Sequence, residues 1–167
     1  MRKHHSKRPV VRFAARIAIA CAATTMSLSA LLLAAGGTPA YAAGASSGDA
    51  ADHFALDQLG KPYQYGAAGL DAYDCSGLTY RAWRSVGVAL PRVAAQQYSA
   101  GTHVPLSQVR PGDLVFWASN TSRPSTIYHV AIYAGYGRVV HAPHTGTRVS
   151  TMSLSSWGGV MPLATRP

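Results

Sequence analysis

The chain has 167 residues, with 15 Lys and Arg against 6 Asp and Glu and a formal net charge of +9. This length suffices for one compact domain of ordinary size and is short for two. Six of the basic residues lie within the first 16 positions, whereas all six acids lie beyond residue 42, so the charge falls by six, to +3, from residue 43 onward. That part has one lysine and no run of Lys and Arg, so no nucleic-acid partner is expected.

The first 42 residues have the pattern of a secretory signal peptide. A basic start without acids precedes a small and apolar run from Ala18 to Ala35, then Gly-Gly-Thr-Pro at 36–39 and the small-x-small site Ala-Tyr-Ala at 40–42. The alternative is a permanent membrane anchor, because the run is about long enough to span a bilayer. The helix-breaking residues and the cleavage site favour removal of the signal peptide by cleavage after Ala42. The sequence therefore predicts a secreted, extracellular protein without a permanent anchor.

Between the signal and Cys75, the sequence predicts a leader, one short helix and a loop. Residues 43–50 are small and polar, and we predict a flexible leader there. A short helix is expected from about Ala51 to Leu59, with Gly60 as its terminator. Residues 61–74 are rich in Gly, Tyr and Pro and are typical of a loop. The folded domain is thus predicted to span residues 51–167.

Cys75 is the single cysteine after the signal, which contains Cys21. Apolar residues follow it at helical spacing up to a stop at Gly87, so Cys75 is predicted in the first turn of a helix. Unpaired N–H groups and the helix dipole stabilise a thiolate there, which predicts a lowered pKa for Cys75. A buried, inert cysteine and a disulfide-linked dimer through Cys75 are the alternatives. The apolar residues of this helix are Leu78, Ala82, Trp83 and Val86.

The remaining elements change from helical spacing to the period-two spacing of strands. A turn at Leu90-Pro91-Arg92 leads into a short helix at about 94–99. Pro111-Gly112-Asp113 is a turn signal, and 119–125 is a polar loop. Helices first and antiparallel strands afterwards indicate an α+β domain. Strands are predicted at 114–117, 127–134, 138–142, 148–152 and 159–164.

The turn at 135–137 decides which side chains share a face of the sheet. If Gly-Tyr-Gly is a three-residue hairpin loop, residues whose numbers sum to 272 face each other. His141 then lies opposite Ala131, and His129 lies on the same face as both, so the two histidines are diagonal neighbours. A two-residue loop would reverse the relative faces, so this prediction depends on the turn type.

Cys75, His129 and His141 supply the three groups that nucleophilic thiol chemistry needs. These are a thiol, an imidazole that takes its proton, and a polar group that holds the imidazole in the right tautomer. Taken singly, His129 could be a satisfied core residue and His141 an exposed one. A metal site of His129, His141 and His144 is disfavoured, because Pro143 separates the last two and no acid lies nearby in sequence. Neither a metal nor a cofactor is expected.

Five sequence blocks occur in the order found in NlpC/P60 domains, and the chain resembles that family of cell-wall cysteine peptidases. The resemblance extends from about residue 51 to residue 164 and so covers nearly all of the chain after the signal. The five blocks are residues 60–66, 74–78, 90–92 with Gln96 or Gln97, 111–116, and 129–135.

The resemblance implies a minimal papain-like fold, in which N-terminal helices pack on an antiparallel sheet. By position, Cys75 resembles the family's nucleophile, His129 its general base, and His141 its third, orienting residue. The usual substrate of the family is the stem peptide of peptidoglycan, commonly cut between D-glutamate and a diamino acid. A cell-wall-associated monomer is therefore expected.

Other positions of the family motif imply contacts to substrate. Tyr63 matches the tyrosine beside the nucleophile that is thought to assist the oxyanion site, and Asp74 and Ser76 flank the cysteine where relatives contact substrate. Two departures concern specificity: Tyr65 stands where relatives often have tryptophan, and Ala67 replaces a second glycine. An enlarged loop at 120–126, just before the predicted base, leaves a different function open. A domain that binds wall peptides without cutting them would need a blocked groove or a misplaced base.

Overall fold

The computed structural model describes residues 46–167. The predicted signal peptide at 1–42 lies outside the described residues and stays a prediction. The α+β class is confirmed, since three helices precede a six-stranded antiparallel sheet. Within residues 46–167 no helix is both long and apolar enough to cross a membrane.

Three helices form the first layer of the domain. The first helix begins inside the stretch predicted as a leader, so that prediction is wrong for residues 47–50. The reason is a capping box, in which the Ser46 hydroxyl accepts from the Asp49 N–H and the Asp49 carboxylate accepts from the Ser46 N–H. The helices are α1 (Ser47–Leu56), α2 (Cys75–Ser85) and α3 (Ala94–Tyr98).

The sheet has the strand order β1-β6-β2-β3-β4-β5. Its three central strands agree with the prediction to within one residue at each end, whereas β5 and β6 begin two and four residues later than predicted. β1 was not predicted, because a short edge strand that ends in proline has little sequence signal. The strands are β1 (Thr102–Pro105), β2 (Leu114–Ala118), β3 (Ile127–Tyr133), β4 (Arg138–His141), β5 (Ser150–Ser153) and β6 (Leu163–Arg166).

The central strands are buried on both faces, which explains why β2 is apolar along its whole length. The helices cover one face, where they contact Leu114, Phe116, Val130, Ile132 and Val140. A smaller cluster covers the other face. It contains Val115, Trp117, Ala131 and Val139 from the central strands, with Trp157 packed against it.

The β3–β4 hairpin has the predicted register. Ile132 pairs with Val140 and Tyr133 with Val139, as a three-residue loop requires. Gly137 has a φ of +70°, in the left-handed region that the loop needs. The β2–β3 pairing shifts by one residue near Ala118, next to Tyr128. This bulge leaves the Tyr128 side chain 58% exposed at the edge of the sheet.

A buried ion pair joins the last strand to the turn before β2. Both oxygens of Asp113, which is 2% exposed, accept from Arg166 at 2.7 and 2.9 Å, and Asp113 also accepts from the Arg110 N–H. Replacing Asp113 by alanine removes the carboxylate that pairs with the partly exposed Arg166, and we expect a loss of about 2 kcal/mol in unfolding free energy. Urea unfolding would measure it. The exposed carboxylate of Asp71 gives a matched control, and a loss no larger than that of Asp71→Ala would contradict the prediction.

Candidate active site

The motif Asp74-Cys75-Ser76-Gly77 forms the start of α2, and Cys75 is its first residue, as predicted. Asp74 is the N-cap, and its Oδ1 accepts from the Gly77 N–H at 2.7 Å. A Cβ atom at Gly77 would lie 2.0 Å from the carbonyl oxygen of Ala67, so no larger residue fits there. The cap and this close approach therefore fix the half-buried thiol of Cys75 at a helix N-terminus.

Arg92 holds both neighbours of Cys75 in place. Its two terminal nitrogens bind the Asp74 carboxylate at 2.9 and 2.7 Å and also donate to the Ser76 hydroxyl and to the Ala67 carbonyl. These four bonds use all four hydrogens of the terminal nitrogens. Sequence reasoning placed Arg92 in a family block without giving it this role, since 18 residues separate it from Asp74.

Gln97, and not Gln96, ties α3 to the first turn of α2. Its side-chain amide donates to the carbonyls of Ser76 and Pro91 at 3.0 and 2.8 Å, and its Oε1 accepts from the Thr79 hydroxyl at 2.7 Å. Gln97 is fully buried, whereas Gln96 is exposed. All of its polar atoms are thus satisfied, and the backbone around the nucleophile is rigidly supported.

His129 on β3 and His141 at the end of β4 lie side by side, as the hairpin register predicted. Each is 3% exposed, and Nε2 of His129 lies 3.1 Å from Nδ1 of His141. One of these nitrogens carries the hydrogen that the bond requires. Within residues 46–167, Nδ1 of His129 makes no hydrogen bond, so it can accept a proton when Nε2 of His129 carries the shared hydrogen.

Two tryptophans surround the histidine pair. The Trp157 ring centroid lies 5.3 Å from that of His129 and 5.2 Å from that of His141, and Trp117 lies 5.5 Å from His129. Sequence reasoning assigned no role to either tryptophan. Trp157 stands in a Ser- and Gly-rich stretch without periodic pattern, so the sequence carries no signal for this position.

Burial keeps both imidazoles neutral. Loss of hydration lowers the pKa of His129 from 6.5 to about 3, and the nearby His141 adds to the effect. Burial lowers the pKa of His141 to about 4, with a further contribution from His144. At neutral pH, each ring therefore has one nitrogen with a hydrogen and one without.

The predicted lowering of the Cys75 pKa is wrong for the resting site. Burial is the largest influence and raises the pKa of the thiol, and the Asp74 carboxylate acts in the same direction. The N–H groups of Val130 and Ser76 oppose this rise without cancelling it. Desolvation therefore outweighs the helix N-terminus, and Cys75 is a neutral thiol at neutral pH.

The thiol lies against the backbone of β3, next to the proposed base in the chain. The backbone N–H of Val130, the residue after His129, interacts with the Cys75 sulfur. Within residues 46–167, no hydrogen bond joins the thiol to the imidazole of His129. Such contacts are often long in ligand-free enzymes and shorten when substrate binds.

A cavity of about 380 Å³ opens above Cys75. Its lining includes four of the six predicted site residues, namely Tyr63, Asp74, Cys75 and Ser76, but neither His129 nor His141. Arg92, Tyr65 and Tyr128 also contribute, and burial raises the pKa of Tyr63, which keeps its hydroxyl protonated. The loop at 120–126 contributes no lining residue, so it does not block the groove.

The three histidines considered for a metal do not form a cluster. His144 is exposed, and its Nδ1 contacts the carbonyl of Thr145. In the described part of the chain, no group of three or more His, Cys, Asp or Glu is placed to hold a metal ion.

Comparison with known proteins shows the family to which the chain belongs. The sequence profile of the NlpC/P60 family matches residues 60–164. The chain belongs to the NlpC/P60 family. Among its relatives is a probable endopeptidase of Corynebacterium glutamicum, 41% identical over 110 residues that make up 66% of this chain and 50% of that protein.

Two further NlpC/P60 proteins are similar to this chain. The γ-D-glutamyl-L-lysine dipeptidyl-peptidase of Bacillus subtilis is 37% identical over 97 residues, which are 58% of this chain and 32% of the relative. The crystal structure of the NlpC/P60 domain of the peptidoglycan hydrolase SagA matches with a TM-score of 0.64 and 36% identity, covering 72% of this chain and 98% of that domain. This NlpC/P60 chain thus spans half or less of the two curated relatives.

The buried histidines predict how stability depends on pH. The unfolded chain binds a proton on His129 below about pH 6.5, but the folded protein does so only near pH 3, so acid favours unfolding. In His129→Gln this contribution is absent. We expect the stability advantage of the wild type over this variant to shrink by up to about 1.4 kcal/mol per pH unit between about pH 6 and 4. Urea unfolding at several pH values would measure it, and parallel curves would contradict it.

Proposed function

We propose that this protein is a secreted cysteine endopeptidase that hydrolyses the stem peptides of peptidoglycan. Cys75 is the nucleophile, His129 the general base, and His141 the residue that orients the base. Two features carry the proposal together: the hydrogen bond between the two buried histidines, and a thiol at a helix N-terminus that lines an open cavity. The names of the relatives support it, since they are endopeptidases, peptidases and a peptidoglycan hydrolase.

The bond cut is the one between D-glutamate and a diamino acid. The B. subtilis relative is named for a γ-D-glutamyl-L-lysine bond, which supports this choice. Asp74 and Ser76, which line the cavity on either side of Cys75 in the chain, contact the substrate, and Arg92 keeps the Asp74 carboxylate paired. The protein acts as a monomer in the cell wall after removal of the signal at 1–42, which the sequence pattern supports.

Because the thiol and the imidazole are both neutral at rest, proton transfer accompanies the attack. The Cys75 sulfur bonds to the scissile carbonyl carbon while its proton passes to Nδ1 of His129. Nε2–H of His129 donates to Nδ1 of His141, which holds the base in the tautomer that leaves Nδ1 free.

The oxyanion is stabilised at the start of α2. The Cys75 N–H is not used by the N-cap, which binds the Gly77 N–H, and the Tyr63 hydroxyl lines the same cavity. Each such donor contributes roughly 3 kcal/mol in acyl-transfer enzymes. His129 then returns its proton to the leaving amine, and a water molecule hydrolyses the thioester and frees the Cys75 thiol.

A synthetic stem peptide tests this function against the binding-domain alternative. The full chain is incubated with a tetrapeptide that contains the D-glutamyl to diamino-acid bond, and products are separated by chromatography. Two product peptides, absent with Cys75→Ala, are expected. Binding of the intact peptide by the folded wild type without any product peptide would favour a non-catalytic wall-peptide-binding domain.

A further inference from the structure

Trp157 covers the histidine pair on the face of the sheet away from the helices. Its ring lies within 5.3 Å of both imidazole centroids and 6.1 Å from Trp117, all measured between ring centres. Trp117 is fully buried below, whereas Trp157 is half-buried and faces solvent. The two indoles thus contact each other and His129, and Trp157, the more exposed of the two, also contacts His141.

The backbone that follows Trp157 is anchored to β2. The Gly159 carbonyl accepts from the Ala118 N–H at 2.9 Å, Val160 bridges to Trp117, and the Met161 N–H donates to Phe116 at 2.8 Å. Gly159 has a φ of +82°, and a Cβ there would lie 2.8 Å from the Ala118 carbonyl oxygen. This close, hydrogen-bonded attachment fixes the position of the indole over the imidazoles.

We propose that Trp157 is a positioning residue, which excludes water from the His129–His141 hydrogen bond and holds the two rings in their reactive orientation. Water would otherwise compete for both ring nitrogens, and the bond is stronger in a dry environment. That Trp157 serves catalysis rests on the proposed function, whereas the exclusion of water from the histidine pair (the shield) does not.

In the described part of the chain, few charged or titratable groups influence the pKa values of His129 and His141. His144, which follows β4, acts on His141, and His141 acts on His129. On the helix side, Cys75 is neutral and the Asp74 carboxylate is paired with Arg92. The exclusion of water by the indole is therefore the feature that a substitution at Trp157 changes most.

NMR titration of the imidazole resonances tests the shield without any assay of activity. In Trp157→Ala we expect the pKa values of His129 and His141 to rise toward 6.5, by about one pH unit or more, with a smaller rise in Trp157→Phe. Tyr136→Ala removes a fully exposed aromatic at the hairpin tip and should leave both values unchanged. Unchanged values in the Trp157 variants would overturn the proposal. If the alanine variant does not fold, the phenylalanine variant alone decides.

The pH profile of kcat/KM shows whether the shield serves catalysis. The acid limb should move to higher pH in Trp157→Ala. For each pH unit that the limb moves, activity on that limb should fall about tenfold relative to the variant's own plateau. If the imidazole pKa values rise in Trp157→Ala but the acid limb of its kcat/KM profile stays at the wild-type pH, Trp157 is not a positioning residue. An inactive wild-type protein whose imidazole pKa values still rise in the Trp157 variants would refute the proposed function and leave the shield intact.

Discussion

Replacing Cys75 by alanine is expected to abolish hydrolysis of stem peptides, with kcat lowered roughly a million-fold, as when the nucleophile of a serine peptidase is removed. No other cysteine is present between residues 43 and 167, so no second thiol can take its place. Turnover of a defined stem peptide, followed by chromatography, measures the loss.

The alanine variant should keep its fold, which makes the loss interpretable. Cys75 is half-buried in the first turn of α2, and its backbone is held by the Asp74 cap and the Arg92 contacts, none of which uses the thiol. Alanine is also the best helix former. We expect the midpoint of thermal unfolding to change by a few degrees at most. Hydrolysis at the wild-type rate by the folded variant would refute the assignment of Cys75 as the nucleophile.

Replacing His129 by glutamine should be nearly as harmful, with a loss in kcat on the order of 10⁴-fold or more. Without a base, the neutral Cys75 thiol has no acceptor for its proton, and the leaving amine has no donor. Glutamine roughly fills the space between Trp117 and Trp157, so the effect reports chemistry and not a collapsed core. The measurement is kcat for a defined stem peptide at neutral pH.

His141→Ala provides the matched comparison for His129→Gln. His141 holds the base through one hydrogen bond of 3.1 Å and does not itself take the thiol proton, so His141→Ala should lower kcat less than His129→Gln does. The reverse order, with His141→Ala the more damaging of the two folded variants, would contradict the proposed roles of the two histidines.

Local sequence signals were enough to predict the centre of the site. The three-residue loop at 135–137 fixes the hairpin register, and the register places His129 beside His141, as the structure shows. The start of α2 at Cys75 likewise follows from the apolar spacing after it. Each of these features depends on residues close together in the chain.

Features that depend on tertiary contacts could not be predicted. The Arg92 contacts to Asp74 and Ala67 join segments 18 and 25 residues apart, and Trp157 reaches His129 from beyond β5. The raised pKa of Cys75 is a property of the assembled core, because burial becomes visible only when the sheet packs against α2. The start of α1 was missed for a different reason, since its capping box lies in a stretch of small residues that is typical of a flexible segment.

Digestion of purified peptidoglycan tests the central claim most directly. The full chain and its Cys75→Ala variant are incubated with the same preparation, and released fragments are identified by mass spectrometry. We predict fragments that depend on Cys75 and whose masses correspond to cleavage between D-glutamate and the diamino acid. Identical fragments from both proteins, or no fragments from a folded wild type, would contradict a cysteine peptidase.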